Sequence, residues 1–161
     1  MKGETLSREK LAKFLERNGI EAEIIDTGVE TPTVVASSEV LGLSRRKIVK
    51  SIVFRSEVGV IVAIMRGDQR VSERRLAELI DAESVELADP KTVKEATGYN
   101  VGGVPPVGHD NPEDIIYVMD PKLLECDRVY GGGGDNRSQL SIRVKDILKL
   151  VRPKISDIAE P

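Results

Sequence analysis

Hydrophobic positions spaced three and four residues apart predict several short helices. Leu11, Phe14 and Leu15 fall on one helical face. We expect that helix to begin at a Ser7 cap and to end near Asn18. Further helices are predicted over 34–41 after Thr33, over 73–80 with Ser72 as the cap, over 91–97 opened by Asp89-Pro90, and over 145–151.

Runs of β-branched residues and alternating patterns predict the strands. The two longest are IVKSIVF (48–54) and VGVIVAIM (58–65), joined by a polar turn at 55–57. Shorter strands are predicted over 20–26 (an edge strand), 84–88, 115–120, 127–130 and 140–144, with the run Gly131 to Gly134 as a turn or a cradle for phosphate. Because helices and strands are intermixed without regular βα alternation, the pattern favours a mixed α+β fold with helices around the sheet.

The composition indicates an aliphatic core. The 161 residues are 40% hydrophobic and only 3% aromatic, and the length suits one domain over residues 1–161. The net charge of -3 and the pI near 5.4 argue against a protein that coats nucleic acid, because such proteins are usually strongly basic. We therefore expect no DNA partner, and any contact with nucleic acid must come from a local basic patch.

Membrane and export signals are missing from the pattern. No apolar run approaches the roughly 18 residues of a membrane span. The start, MKGETLSREK, has no hydrophobic segment behind it, so it is not a secretory signal. We expect a soluble, cytoplasmic protein without a membrane partner.

The usual catalytic motifs are missing as well. The sequence has one histidine (His109), one cysteine (Cys126) and no G-x-S-x-G motif, so neither a Ser-His-Asp triad nor a zinc cluster is expected. Cys126 is interpreted as a buried structural thiol. The GGGGDNRS segment lacks the consecutive Lys-Ser/Thr pair of a nucleotide-binding loop. We expect no metal and no cofactor, so if the protein is an enzyme its substrate must supply some of the reactivity.

Lys50 is the first candidate for a functional side chain. It lies in IVKSIVF, where both faces are largely apolar, as in a strand covered on both sides. A buried, unpaired ammonium is costly, so Lys50 either points into a cleft or extends past the end of the strand to solvent. The neighbouring Arg45, Arg46 and Lys47 are either a solvated helix end or, with Lys50, a positive rim for phosphates.

The segment TGYNVGGVPPVGHD (97–110) is the second candidate. Its glycines permit positive φ and close approach of a ligand, and Pro105 and Pro106 make it rigid. Main-chain amides at 102–104 could face a developing oxyanion, and carbonyls could accept from an ammonium or hydroxyl. A plain surface loop is the alternative, and His109 is interpreted as a loop histidine rather than a base.

Six segments occur in a distinctive order: IVKSIVF, GDQRVSERRLAELI, VELADPKTV, TGYNVGGVPPVG, VMDPKLL and GGGGDNRSQLSI. Together, from about Thr31 to Leu150, they resemble the YbaK/prolyl-tRNA synthetase-associated editing-domain family. The resemblance implies a barrel-like mixed β sheet surrounded by helices. It also implies hydrolysis of mischarged aminoacyl-tRNA, by water or by a group of the substrate itself.

The resemblance also assigns residues. It implies that Lys50 positions the tRNA end and the ester, and that the 102–106 loop holds the aminoacyl group. The substrate-binding residues that it implies are Thr31, Thr33, Ser51, Gly102, Gly103, Val104, Pro105, Pro106, Gly108, Gly132 and Gly133. Two positions depart from the family pattern, because Pro105 often corresponds to serine and Ser51 to threonine. The identity of the amino acid removed therefore stays open.

The resulting hypothesis is a trans-editing deacylase that acts on tRNA(Pro) mischarged with a small amino acid such as Ala or Cys. Aminoacyl-tRNA is then a partner, and prolyl-tRNA synthetase is a second one that the resemblance implies. The alternative is a non-catalytic module that binds tRNA or a synthetase through the same pocket. A third idea treats GGGGDNR as a phosphate nest for a small nucleotide, and the lack of a lysine there counts against it.

Overall fold

The helices and strands alternate irregularly along the chain, in a computed structural model that describes residues 2–161 and the side chains from Ser7 onward. The helices are α1 (Lys2–Arg17), α2 (Val34–Leu41), α3 (Glu73–Ile80), α4 (Pro90–Thr97) and α5 (Val144–Val151). The strands are β1 (Glu23–Asp26), β2 (Val49–Ser56), β3 (Gly59–Arg66), β4 (Val85–Leu87), β5 (Ile115–Met119), β6 (Arg128–Gly132), β7 (Ser138–Arg143) and β8 (Lys154–Ile155). Met1 lies outside the described residues, so the expectations about the N-terminal start and about one domain over 1–161 stay predictions.

Three of the predicted helix caps form as expected. The Thr33 hydroxyl accepts from the Ala36 N–H at 3.1 Å and caps α2. Ser72 caps α3 and Asp89 caps α4 in the same way. The Ser7 cap was wrong, because α1 already begins at Lys2 and carries Ser7 inside it. No proline separates Ser7 from the residues before it, so nothing prevents the helix from continuing.

The strands form two sheets rather than one closed barrel. One sheet has the order β1-β7-β6 and is antiparallel throughout. The other has the order β4-β2-β3-β5-β8, with antiparallel pairs around β2 and parallel pairs around β5. A single bridge from Ile48 to Tyr130 joins the start of β2 to β6. The mixed α+β prediction is confirmed, and the edge position of β1 with it.

Several details of the strands differ from the prediction. The turn between β2 and β3 lies at 57–58 rather than at 55–57, because the pairing of β2 with β3 continues to Ser56 and Gly59. Gly131 and Gly132 belong to β6 rather than to a turn, which starts only after them. A side chain at Gly131 would lie 2.6 Å from the Val49 carbonyl oxygen, so the glycine lets β6 pass close to β2. The two-residue strand β8 was not predicted, because its pairing with β5 is set by the fold rather than by a local pattern.

The core is aliphatic and has two parts on opposite faces of β3. Val62 and Ile64 face a large cluster shared with the smaller sheet, α1 and α5. Ile61 and Ala63 face a second cluster with α3. β3 is therefore buried on both faces, as its apolar sequence predicts. Among the described residues, no helix combines the length and apolar character needed to span a membrane.

Candidate functional site

A cavity of about 250 Å³ lies between the start of β2 and the smaller sheet. Its wall combines β2, β6, β7, α2, the segment before α2 and the loop after α4. The lining residues are Thr31, Pro32, Thr33, Val34, Ser37, Ile48, Val49, Lys50, Ser51, Ile52, Val53, Leu87, Ala88, Val93, Val101, Gly102, Val104, Gly131, Gly132 and Gln139. The wall is mostly aliphatic, with a few polar side chains and Lys50.

The cavity gathers most of the residues that the sequence singled out. Those that line it are Lys50, Thr31, Thr33, Ser51, Gly102, Val104 and Gly132. The others lie behind or beside it: Gly103, Pro105, Pro106, Gly108 and Gly133. Residues as far apart in the chain as Thr31 and Gly132 thus line one cavity, whereas neighbours within the 102–108 loop do not all line it.

The strand β2 presents an unpaired edge to this cavity. β4 pairs only with Phe54–Ser56, and β6 meets only the start of β2 through the Ile48–Tyr130 bridge, so Ser51 has no strand partner on that side. The Val53 carbonyl accepts from the Ala88 N–H on the β4 side, whereas the Ile48 carbonyl accepts from Gly67 on the β3 side. Because main-chain groups alternate along a strand, the N–H and C=O of Ser51 point away from β3, towards the cavity.

Lys50 is half-buried where β2 meets the loop after β3. Its ammonium donates to the main-chain carbonyl of Gln69. Burial, and secondarily the nearby charge of Arg70, lowers the pKa of Lys50 from its usual value. Among the described residues that line the cavity, Lys50 alone has an ionisable side chain. Lys50 therefore supplies the positive charge of this wall.

The loop after α4 forms a second wall by close backbone packing. Gly102 has a φ of +93°, which other residues adopt only with strain. It also lies against Pro32. The Gly103 N–H donates to the Asn100 carbonyl at 3.0 Å, so it is engaged within the loop. A β-carbon at Gly132 would overlap the carbonyl oxygen of Val104. The loop is thus pressed against β6 with no room for a side chain.

His109 ties down the end of the same loop, away from the cavity. Its Nε2 lies 2.7 Å from the Pro105 carbonyl oxygen and its Nδ1 lies 2.7 Å from the Tyr117 hydroxyl. A carbonyl only accepts, so Nε2 carries the proton and Nδ1 accepts from Tyr117. Burial lowers the pKa of His109 to about 4. The imidazole is therefore neutral, with both nitrogens engaged, which fits a structural role.

Gly108 also serves the packing of the loop. Its carbonyl accepts from the buried Tyr99 hydroxyl at 3.1 Å, and a β-carbon added there would lie 3.2 Å from Leu11 and from Phe14 of α1. With a φ of +81° it turns the chain away from the cavity. Pro105 and Pro106, which precede Gly108 and His109 in the loop, are buried as well.

The basic segment Arg45–Lys47 is a short 3₁₀ helix directly before β2. All three side chains are exposed, and Arg46 comes within 3.7 Å of Asp68. The half-buried thiol of Cys126 donates to the Arg46 carbonyl at 3.3 Å and so holds this segment. The segment Arg45–Lys47 directly precedes Ile48, which lines the cavity just before β2 begins.

Gln139 lines the cavity and was not among the residues singled out from the sequence. It is 2% exposed on β7, and its Nε2 donates to the Thr31 hydroxyl at 3.0 Å. Its Oε1 and the Ser51 hydroxyl are buried without a hydrogen-bond partner. Little in the sequence pointed to it, because the predicted strand over 140–144 left Gln139 out, whereas β7 includes it among buried neighbours.

The lining offers binding groups rather than a catalytic residue of the usual kinds. It contains no histidine, cysteine, aspartate or glutamate. Over the described residues, no group of three or more such side chains is placed to hold a metal ion. The groups available are one ammonium, several hydroxyls, one amide side chain and main-chain amides at a strand edge and a glycine loop. Such a set can orient a polar ligand and stabilise a negative charge on it.

The chain is similar to known proteins over most of its length. Residues 29–150 match the family model described as "Aminoacyl-tRNA editing domain". A proline–tRNA ligase of Pelotomaculum thermopropionicum is 43% identical over 117 residues, which is 70% of this chain and 20% of the ligase. A proline–tRNA ligase of Thermoanaerobacter sp. is 31% identical over 138 residues, or 83% of this chain and 24% of the ligase. The chain thus spans about a quarter or less of the length of these relatives.

A solved structure shares the fold over nearly its whole length. It is described as that of "a putative trans-editing enzyme for prolyl tRNA synthetase". The TM-score is 0.87 and the identity is 29%, with 96% of this chain and 98% of the other covered. The arrangement of two sheets and surrounding helices is therefore shared with a separate chain of similar extent.

Proposed function

Because the chain belongs to the aminoacyl-tRNA editing domain family, we propose that it hydrolyses the ester bond of a mischarged aminoacyl-tRNA in trans. The observation that carries the proposal is the cavity that brings Lys50 together with Thr31, Gly102 and Val104. Its volume of about 250 Å³ lies below the roughly 300–1,000 Å³ of sites for drug-sized ligands. It suits the small aminoacyl end of the substrate, with the rest of the tRNA outside.

The finer proposal is that the substrate is tRNA(Pro) carrying alanine, cysteine or a residue of similar size. The proline–tRNA ligases that share up to 43% identity with this chain support the choice of tRNA. The closely packed aliphatic wall, with Val49, Val53 and Val93 almost fully buried, supports a small side chain. Prolyl-tRNA synthetase is the proposed partner, as the source of the mischarged tRNA.

The proposed mechanism uses a water molecule as the nucleophile, because the lining offers no stronger one. Water adds to the ester carbonyl, and the carbonyl electrons move to oxygen to give a tetrahedral oxyanion. Collapse of this intermediate breaks the bond to the ribose oxygen, which takes up the proton that water loses. The products are the free amino acid and uncharged tRNA.

The roles of the protein groups follow from their chemistry. Lys50 orients the terminal adenosine and its phosphates by its positive charge. The N–H groups of Gly102 and Val104 stabilise the oxyanion, while the N–H of Gly103 is already bonded to Asn100. The main-chain N–H of Ser51, on the open edge of β2, is a further donor at the same wall. Thr31 and Thr33 complete the polar rim.

A second candidate is a non-catalytic module that binds charged tRNA or a synthetase through the same cavity. The lack of a lining general base favours it. The two functions differ in turnover, because the module would bind an aminoacyl-adenosine without cleaving its ester.

The test is a deacylation assay on a panel of mischarged tRNAs, with the wild type, Lys50→Ala and the exposed control Lys145→Ala. We expect the wild type and the control to release a small amino acid from tRNA(Pro), and Lys50→Ala to be slowed about 100-fold. Binding of a non-hydrolysable 3′-aminoacylamido-adenosine without turnover of any ester would favour the binding module. No binding and no turnover would exclude both.

A further inference from the structure

The inner wall of the cavity carries two polar atoms with no partner. Oε1 of Gln139 and Oγ of Ser51 are both buried and make no hydrogen bond. Both residues line the cavity, and Gln139 is only 2% exposed. A buried polar atom left without a partner costs about 1–3 kcal/mol, so such atoms are uncommon without a functional reason.

The side chain of Gln139 is held in one orientation. Its Nε2 donates to the Thr31 hydroxyl at 3.0 Å, and the Thr31 N–H in turn donates to the Asn136 carbonyl at 2.6 Å. Thr31 is itself only 2% exposed. The amide is thus anchored through its nitrogen, and its oxygen is the end left for a ligand.

An amide oxygen only accepts hydrogen bonds, so its ligand must donate. On an aminoacyl ester the carbonyl and ester oxygens accept, and a small apolar side chain does neither. The α-amino group is the strong donor of the aminoacyl part. The lining has no carboxylate to take that role.

Resting on the proposed function, we infer that Gln139 recognises the α-amino group of the bound aminoacyl ester through its Oε1. The Ser51 hydroxyl lines the same cavity and can accept as well as donate, and in this inference it takes a second hydrogen of the same group. Gln139 thereby selects α-amino acids over acyl groups that lack a donor at that position. It is a specificity-determining residue, and the hydrolysis itself does not use it.

The experiment compares two non-hydrolysable analogues, 3′-alanylamido-adenosine and 3′-propionylamido-adenosine, which differ only in the α-amino group. Calorimetry on the wild type should give at least tenfold tighter binding of the alanyl analogue. Gln139→Met, which keeps the length of the side chain and removes the acceptor, should bind both analogues about equally. Gln139→Glu keeps an acceptor and should restore the preference. Ser141→Ala, a buried polar position on the same strand outside the cavity lining, controls for effects on β7.

The outcomes separate this inference from the proposed function. A preference retained in Gln139→Met would overturn the inference. An equal weakening of both analogues would show that Gln139 contacts a part of the ligand that the two share, and would overturn it too. If the wild type cleaves alanyl-tRNA and propionyl-tRNA equally well, the proposed function stands and the inference fails. If the wild type neither binds the analogues nor cleaves any ester, the proposed function fails first. Thermal unfolding of each variant identifies any that do not fold.

Discussion

The ammonium of Lys50 is bonded to the main-chain carbonyl of Gln69, so a loop that follows β3 holds the positive charge of a cavity beside β2. The acceptor is neutral, so it does not cancel the charge of the ammonium. A lysine ammonium has three donors, and this contact uses one of them. The arrangement fixes the position of Lys50 and leaves donors for a ligand.

We expect substitution of Lys50 to reduce catalysis more than stability. Lys50→Ala should lower kcat/KM for deacylation about 100-fold, because a charge that orients the substrate is lost. Lys50→Arg should recover little, since the larger planar guanidinium cannot take the same place beside Gln69. Steady-state deacylation kinetics with Lys145→Ala as the control measure this. A Lys50→Ala variant with wild-type kinetics would remove Lys50 from the mechanism.

The exposed cluster Arg45–Lys47 should contribute to binding of the tRNA and not to the chemistry. Arg45→Glu combined with Lys47→Glu should raise KM for aminoacyl-tRNA about tenfold at low salt, and the difference should shrink as salt rises. Cleavage of a minimal aminoacyl-adenosine ester should be unchanged, because it has no acceptor stem. The matched control is Lys145→Glu with Lys149→Glu on α5, which changes the net charge equally. Equal effects on both substrates would contradict the prediction.

A side chain at Gly132 should damage the cavity. Gly132→Ala places a β-carbon on the Val104 carbonyl oxygen, so the loop after α4 must move. We expect a loss of about 1–3 kcal/mol in the free energy of unfolding and at least a tenfold loss of deacylation. Gly28→Ala is the control, because Gly28 has a φ of +72° with open space around it. It should lose about 1 kcal/mol to backbone strain and keep full activity. Urea unfolding and deacylation rates distinguish the two.

The buried His109 should make stability depend on pH. Burial lowers its pKa to about 4, from 6.5 in an exposed histidine. Between these values the unfolded chain binds the extra proton, so the free energy of unfolding falls as pH falls from about 6.5 to 4. The full contribution is present above pH 6.5 and amounts to about 3 kcal/mol.

The variant His109→Gln tests this dependence. Its amide can still donate to the Pro105 carbonyl and accept from Tyr117, but it does not titrate in this range. Urea unfolding at several pH values should show a shallower loss of stability below pH 6.5 in the variant than in the wild type. Parallel curves would show that His109 does not cause the dependence.

Local elements of the fold could be predicted from the sequence because their signals are local. The Thr33, Ser72 and Asp89 caps each lie next to the helix that they start, and all three were found. The division into two sheets and the pairing of β8 with β5 depend on contacts between distant segments. No short pattern encodes those pairings, so the sequence could not predict them.

The candidate site was predictable where a residue conflicts with its neighbours. Lys50 stood out as a charge in an apolar strand, and it lines the cavity. Gln139 was missed because the strand was predicted only over 140–144, whereas β7 already begins at Ser138. Proximity in the sequence was a poor guide within the loop after α4. Gly102 lines the cavity, whereas Gly108 does not line it and lies next to α1.

The unpaired edge of β2 has a consequence for solubility. An exposed strand edge can template pairing with another chain, and proteins commonly cover or interrupt such edges. Here the unpaired main-chain groups of Ser51 lie at the cavity, whose walls include the loop after α4 and β6. The walls that shape the pocket thus also shield an edge that would otherwise promote aggregation. A change that dislodges the loop would expose that edge, so loss of the pocket and self-association should appear together.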